Sequence, residues 1–306
     1  MAISRAQMMK ELLPGLNALF GLEYQKYENE HEAVYETESS DRAFEEEVKL
    51  SGFGAAPVKS EGSAIAYDTA NEHFTARYNH ETIAMGFSIT EEAVEDNLYD
   101  SLSARYTKAL ARSMAHTKQV KAAFPLNNAF ATANFSAGDG AALCSTAHTL
   151  VTGSTVSNVL ATAADLNETS LEQSVIDIAA FTDDRGLLIA ARPRKLICAP
   201  YNQFVATRVL ETELRPGTAD NDINALRTNG VIPEGYSINH YITTANKKEW
   251  FLITDVPNGM KMFQRTPLQT GMDGDFDTGN VRYKARERYS FGVSDFLGIF
   301  GSGELS

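Results

Sequence analysis

The chain has 306 residues, 43% apolar and 22% charged, with a formal net charge of −13. This is ordinary globular composition, with enough apolar material for one large domain or two to three subdomains. The negative field opposes sequence-independent nucleic-acid binding, which depends on neutralising phosphates. No run of eighteen apolar residues occurs, and Cys144 and Cys198 are too few for a disulfide framework, so two buried free thiols are expected.

The opening stretch, MAISRAQMMKELLPGLNALF, carries Lys10 and Glu11 where a signal peptide needs its apolar segment. It reads as an amphipathic helical start of a soluble cytoplasmic product. Next comes EYQKYENEHEAVYETESS, where Glu28, Glu30, Glu32, Glu36 and Glu38 occupy one side of a two-residue period, and His31, Ala33, Tyr35 and Thr37 the other. Between Glu23 and Glu47 ten acidic residues face only Lys26 and Arg42, a local charge of −8. An isolated strand so charged does not hold itself in a sheet, which predicts an extended arm that needs a partner surface, or else a solvated surface segment.

Residues 41–88 read as strand, glycine-rich tip and strand, punctuated by Gly52, Gly54, Pro57 and Gly62. At about 3.3 Å per residue and roughly twenty residues per arm, this hairpin spans about 65 Å and is predicted to lie on another body. The segment SITEEAVEDNLYDSLSARYTKALARSMAHTKQVKAAFP follows, with Ser88 or Thr90 as a cap and Pro125 as a stop. Val94, Leu98, Leu102, Tyr106, Ala109 or Leu110, and Met114 form an apolar stripe, while acids crowd its first half and bases its second. The pattern predicts one helix over 89–124, about 50 Å long.

The rest alternates. A small-residue loop leads to a capped helix in DLNETSLEQSVIDIAAFTDDRG, with Leu171, Val175, Ile178 and Ala179 inward. LLIAARPRKLICAP reads as a strand, QFVATRVLE as a short helix, ELRPGTADNDINALRTNGVIPEG as a long polar loop, and WFLITDV and KMFQRTP as strands. Strands interspersed with helices, without a repeat of fixed period, argue for an α+β fold. In the last strand Val281, Tyr283, Ala285, Tyr289, Phe291 and Val293 make one side, and Arg282, Lys284, Arg286 and Arg288 the other.

Chemistry leaves little trace. No G-x-S-x-G, H-E-x-x-H or P-loop is present, and Gly52-Phe53-Gly54 lacks the third glycine and the helix of a dinucleotide site. Cys144 and His148, four apart, lack the further ligands a structural zinc needs, and read as packed or surface residues. Asp273, Asp275 and Asp277 start like a calcium loop, but Thr278 and Lys284 stand where glycine and glutamate are required. No catalytic residue, cofactor or metal is expected.

The order of acidic arm, long hairpin, long helix and mixed body resembles the HK97-fold major capsid proteins of tailed bacteriophages. The stretches DGAALCSTAHTLVTGSTVSN, PRKLICAPYNQFVATRVL, NDINALR, WFLITD and RYSFGVSDFLGIFGS look like those of the Mu-like major head subunit type. The resemblance implies residues 1–40 as N-terminal arm and 41–88 as the extended E-loop. It implies a peripheral domain of 89–185 and 255–290 with the spine helix 89–124, and an axial α/β domain of 186–254 and 291–306.

It further implies a structural subunit, not an enzyme, that self-assembles into pentamers and hexamers of an icosahedral shell around double-stranded DNA. Its partners are then copies of itself, a separate scaffolding protein, a portal protein and in some systems a decoration protein; no membrane is involved. Assembly in the host cytoplasm and residence in the virion follow. Inter-subunit contacts are expected from Glu28, Glu30, Glu32, Glu36 and Glu38, from Phe53, Tyr67 and Phe74, and from Arg282, Lys284, Arg286 and Arg288, the basic row either receiving the acidic arm or hairpin of a neighbour or forming a solvated strand face. An encapsulin-like bacterial compartment shell and an α+β metabolic enzyme are the competing readings.

Overall fold

The computed structural model describes residues 5–90, 92, 99–133, 135–215, 222–275 and 279–303. Two four-stranded sheets organise the chain. The first has the order β1 (Glu36–Ser39), β10 (Met260–Gly274), β11 (Val281–Val293) and β4 (Glu81–Ile89). Strand β1 is parallel to β10, and β10 with β11 and β11 with β4 are antiparallel. Helices α1 (Arg5–Tyr24) and α2 (Tyr99–Asn127) cover one face, where Leu16 and Phe20 of α1 and Leu110, Ala111 and Met114 of α2 pack on Tyr283 and Ala285 of β11. The apolar period of β11 puts those two residues inward, and the same alternation exposes Arg282, Lys284 and Arg286 on the other face.

The second sheet has the order β12 (Ile299–Ser302), β9 (Trp250–Thr254), β7 (Pro193–Cys198) and β8 (Tyr236–Ile238). All five residues of β9 are buried, as expected of a strand covered on both faces. Helix α3 (Glu168–Ala179) packs Leu171 and Ile178 into that core and is capped at Asn167, whose side chain accepts from the Ser170 N–H while Ser170 Oγ accepts from the Asn167 N–H. Helices α4 (Gln203–Glu211) and α5 (Ala225–Thr228) and the short hairpin of β5 (His148–Thr149) and β6 (Thr155–Val156) complete the body. Buried Asn158 ties the chain end to it, its Nδ2 donating to the carbonyls of Leu143, Phe296 and Ile299 at 2.9–3.1 Å. Cys144 and Cys198 are buried free thiols; burial pushes both up, Cys198 to about 12.

Several expectations from the sequence need correction. The acidic segment is not one free strand: Glu30–Ala33 forms a 3-10 turn and only Glu36–Ser39 is extended, paired with β10 of its own chain. The long edge of β10 supplies the backbone partners that a lone charged strand lacks. The hairpin predicted over 41–88 is two things. Strands β2 (Phe44–Leu50) and β3 (Glu72–Asn79) pair as a ribbon, whereas β4 turns at His80 and joins β11. Helix α2 does not include Ile89, which belongs to β4; residues 91 and 93–98, with Val94 and Leu98, lie outside the described residues. It also passes through Pro125 to Asn127, which a final turn tolerates because only one ladder bond is forfeited. Ala179, expected inward, is exposed; the polar loop after Thr212 contains α5, capped by Asn224; and β10 runs to Gly274 across two register shifts.

Candidate inter-subunit surfaces

The ribbon is anchored at its base. Ala76 and Tyr78 of β3 pack against Phe263 of β10, and the Tyr78 hydroxyl lies 2.5 Å from Ser294 Oγ. Glycine at 292 leaves room for the Tyr78 ring, which would sit 2.5 Å from any Cβ there. Lys49 Nζ pairs with Asp295 at 2.8 Å and lies over the Phe296 ring. Lys261, 4% exposed, holds Glu47 at 2.6 Å and Glu38 at 2.9 Å; burial opposes its charge, but the two carboxylates outweigh it and raise its pKa. Phe74 stacks on Phe296, with Gly138 open beneath its ring. The ribbon base is therefore tucked on its own body rather than waiting for another, and Phe74 is part of that packing.

The connection between β2 and β3 is different. Residues 52–71 are exposed throughout, with Phe53 61%, Val58 98%, Ile65 58% and Tyr67 89% exposed. One side chain clips its root: Arg185 donates from Nε to the Gly52 carbonyl at 3.2 Å and from Nη2 to the Thr69 carbonyl at 2.5 Å, and reaches Asp68 Oδ1 at 3.4 Å. Four large apolar side chains held in water on one loop are a contact surface without its partner.

The basic row lies on the open face of the first sheet. Arg282 pairs with Asp275 in the β10–β11 turn, and Arg288 Nη2 donates to the Ala43 carbonyl at 3.5 Å. Lys284 and Arg286 are exposed and have no carboxylate partner among the described residues. The acidic residues scatter. Glu28 and Glu32 are exposed, Glu30 binds His240 Nδ1 at 2.7 Å, Glu36 lies 3.8 Å from Arg194, and Glu38 reaches Lys261. None of them meets the basic row within one chain.

Sequence reading missed a buried polar cluster under α2. Glu287 sits on the inward row of β11, 1% exposed, with Lys118 Nζ at 3.7 Å and the Tyr24 hydroxyl at 3.5 Å. Burial raises its pKa, and Lys118 and Tyr24 offset part of that. The signal was present in the two-residue period, which places 287 between Ala285 and Tyr289 on the apolar side. Nearby, His31 is buried against Gln119 and Phe291, and burial, then Lys118, lowers its pKa to about 4. His148, which shared a candidate metal spacing with Cys144, instead places Nδ1 2.7 Å from Asp139 Oδ2 and Nε2 3.2 Å from Asn158 Oδ1. The Asp273 segment is the β10–β11 turn, with Gly279 at φ 70°; Asp277 and Thr278 lie outside the described residues.

A two-sheet body that keeps a long helix on one face and pushes an apolar loop into solvent is a subunit made for assembly, the class of shell-forming proteins. Residues 74–301 match the family described as phage capsid protein, and since that span is well over half of the chain, the protein belongs to the phage capsid protein family. No curated protein sequence matches it. Among solved structures, the capsid of Myoviridae phage XM1 is similar at TM-score 0.53 and 14% identity over 89% of both chains. The capsid of a native GTA particle gives 0.53 at 13% over 92% of both, and a virus-like particle from Pyrococcus furiosus 0.53 at 9% over 94% of this chain and 97% of that one. At these identities the likeness is one of fold, the HK97-like capsid fold. Family and fold together make this a structural major capsid protein that forms shells with copies of itself, and they set aside the metabolic-enzyme reading.

Proposed function

We propose that the chain assembles into pentamers and hexamers of an icosahedral phage head around double-stranded DNA, and that the ribbon of each subunit lies across its neighbour. The observation that carries this is the loop 52–71, whose Phe53, Val58, Ile65 and Tyr67 are left exposed by the described residues of their own chain. In this reading residues 1–40 are the arm and 41–88 the E-loop. Residues 89–185 and 255–290 form the peripheral domain with the long helix, and 186–254 and 291–306 form the axial domain. The separation of the first sheet from the second, with β11 leading out of one and β12 entering the other, supports that division.

Phe53 and Tyr67 are the apolar contacts, and Glu28, Glu32, Glu36 and Glu38 with Arg282, Lys284, Arg286 and Arg288 the charged ones. Phe74 and Glu30 serve within the chain. A separate scaffolding protein, a portal protein and in some systems a decoration protein are the remaining partners, with assembly in the host cytoplasm. The net charge of −13 suits a shell that contains DNA without gripping it.

Negative-stain imaging and sedimentation of the purified protein test the reading. Closed particles of megadalton mass containing nuclease-protected DNA support it; particles holding a protein cargo instead favour the compartment shell. A monodisperse monomer at high concentration overturns both.

A further inference from the structure

The two open edges of the first sheet are unlike. Strand β1 is four residues long and acidic, the blunted kind of edge that resists unwanted pairing. Strand β4 is nine residues long and, after Glu81, uncharged from Thr82 to Ile89, paired to β11 along its whole length on one side. Met85 on this edge is 51% exposed. A long, uncharged edge presents a row of unpaired N–H and C=O groups and is a template for another strand.

The open face beside that edge is equally specific. Arg288, Arg286, Lys284 and Arg282 of β11 stand opposite Thr82, Ala84, Gly86 and Ser88 of β4. Each thus has a small neighbour on the edge strand; Arg282 is held by Asp275 and Arg288 by the Ala43 carbonyl, while Lys284 and Arg286 are left to lie across the edge strand toward the rim. At Gly86 the small residue is obligatory, since a Cβ there would come 2.7 Å from the Tyr283 carbonyl and 3.3 Å from Lys284 Cβ.

At the far edge, Glu36 and Glu38 pair with Lys261 and Phe263, which pair in turn with Gly292 and Ser290. Paired residues share a face, so the two carboxylates point to the same side of the sheet as the basic row. The strand directions agree as well: β1 and β4 are both antiparallel to β11 in sense, hence parallel to one another.

We propose that the β4 edge is a strand-addition site, and that its occupant is the β1 edge of a second copy of this chain, added in parallel so that Glu36 and Glu38 of one subunit meet Lys284 and Arg286 of the next. The join uses a different patch on each subunit, so it is head-to-tail and propagates into rings. It rests on the shell reading above and adds a continuous sheet between subunits to it. Charge complementarity selects β1 over a like-charged β4, which would set two basic rows side by side.

Hydrogen exchange on the wild-type protein, dissociated and assembled, tests this without any variant. Alternate amides of 82–89 should exchange on the order of a hundredfold more slowly in particles than in free subunits. Particles that form with no gain of protection in β4 overturn the edge proposal and leave the shell reading intact; failure of the wild type to assemble overturns both. Protection of β4 confined to DNA-filled particles makes nucleic acid the occupant and also overturns it.

In the second arm, Lys284→Glu with Arg286→Glu should lower particle yield about tenfold or more, and Glu36→Lys on the same chain, which leaves the Glu38–Lys261 pair intact, should restore part of it. Unchanged melting of the dissociated variants separates assembly from folding. Absence of rescue with folded subunits removes β1 as the occupant.

Discussion

Gln119 holds His31 at two points: its Oε1 accepts from the His31 backbone N–H at 3.2 Å, and its Nε2 lies 3.0 Å from His31 Nδ1. Since the oxygen of the amide is committed to the backbone, its nitrogen faces the ring, and the ring nitrogen must accept. His31 therefore belongs in the neutral form, and a proton on Nδ1 would set donor against donor beside Lys118.

Acid should then loosen this junction. The pKa of His31 falls from 6.5 to about 4 on folding, so between these values the unfolded chain binds the extra proton. Its contribution is full above pH 6.5, is lost as the pH falls toward 4, and amounts to on the order of 3 kcal/mol. Urea midpoints of the unassembled subunit at pH 7.5 and 4.5 measure it. His31→Asn, which keeps an acceptor for Gln119, should flatten the slope between those two pH values; an unchanged slope would place the acid sensitivity elsewhere.

The pair of Lys118 and Glu287 is buried on both sides and should be costly to break and cheap to replace. Lys118→Met leaves the Glu287 carboxylate without its cation and should cost about 3–5 kcal/mol at neutral pH. The double change Lys118→Met with Glu287→Leu should regain most of that. Because burial already raises the Glu287 pKa, the deficit of the single variant should shrink as the pH is lowered toward the carboxyl range. Chemical denaturation of the four proteins as a cycle gives the coupling, and equal losses in single and double variants would contradict it.

Backbone crossing at Gly259 leaves no space for a side chain: a Cβ there would lie 2.8 Å from the Gly298 Cα. Gly259→Ala should lower stability by about 1–3 kcal/mol. Gly271→Ala is the matched control, for its nearest neighbour is the flexible Lys284 side chain at 3.5 Å. Thermal melts in which the two variants behave alike would show that this crossing relaxes freely.

Arg185 should govern the loop root more than global stability. Arg185→Ala removes both carbonyl contacts and should speed limited proteolysis within 52–71 several-fold, while the unfolding free energy changes by less than about 1 kcal/mol, as usual for exposed ionic contacts. Cleavage at the wild-type rate would mean that the clip is redundant with the β2–β3 ladder.

Local pattern was enough for much of this molecule. Alternation in RYKARERYSFGV fixed which side of β11 turns inward, because the side-chain period of a strand is two whatever it pairs with. Periodicity and capping located α3, β7, α4 and β9, and the ordered set of stretches pointed to the capsid fold. Pairing partners were not legible, since they depend on residues far away in sequence. That the acidic Glu36–Ser39 strand adds to β10, that β4 leaves the ribbon for β11, and that Phe74 is spent on Phe296 are all decisions of tertiary contact. The same holds for Glu287: its position on the apolar row was visible, but the lysine 169 positions earlier that makes its burial tolerable appears only when α2 lies across the sheet. Sequence determined the period, the charge and the surface each segment needs to cover; the folded chain decided which surfaces cover one another, because hydrogen-bond ladders and buried ion pairs are satisfied between elements and not within them.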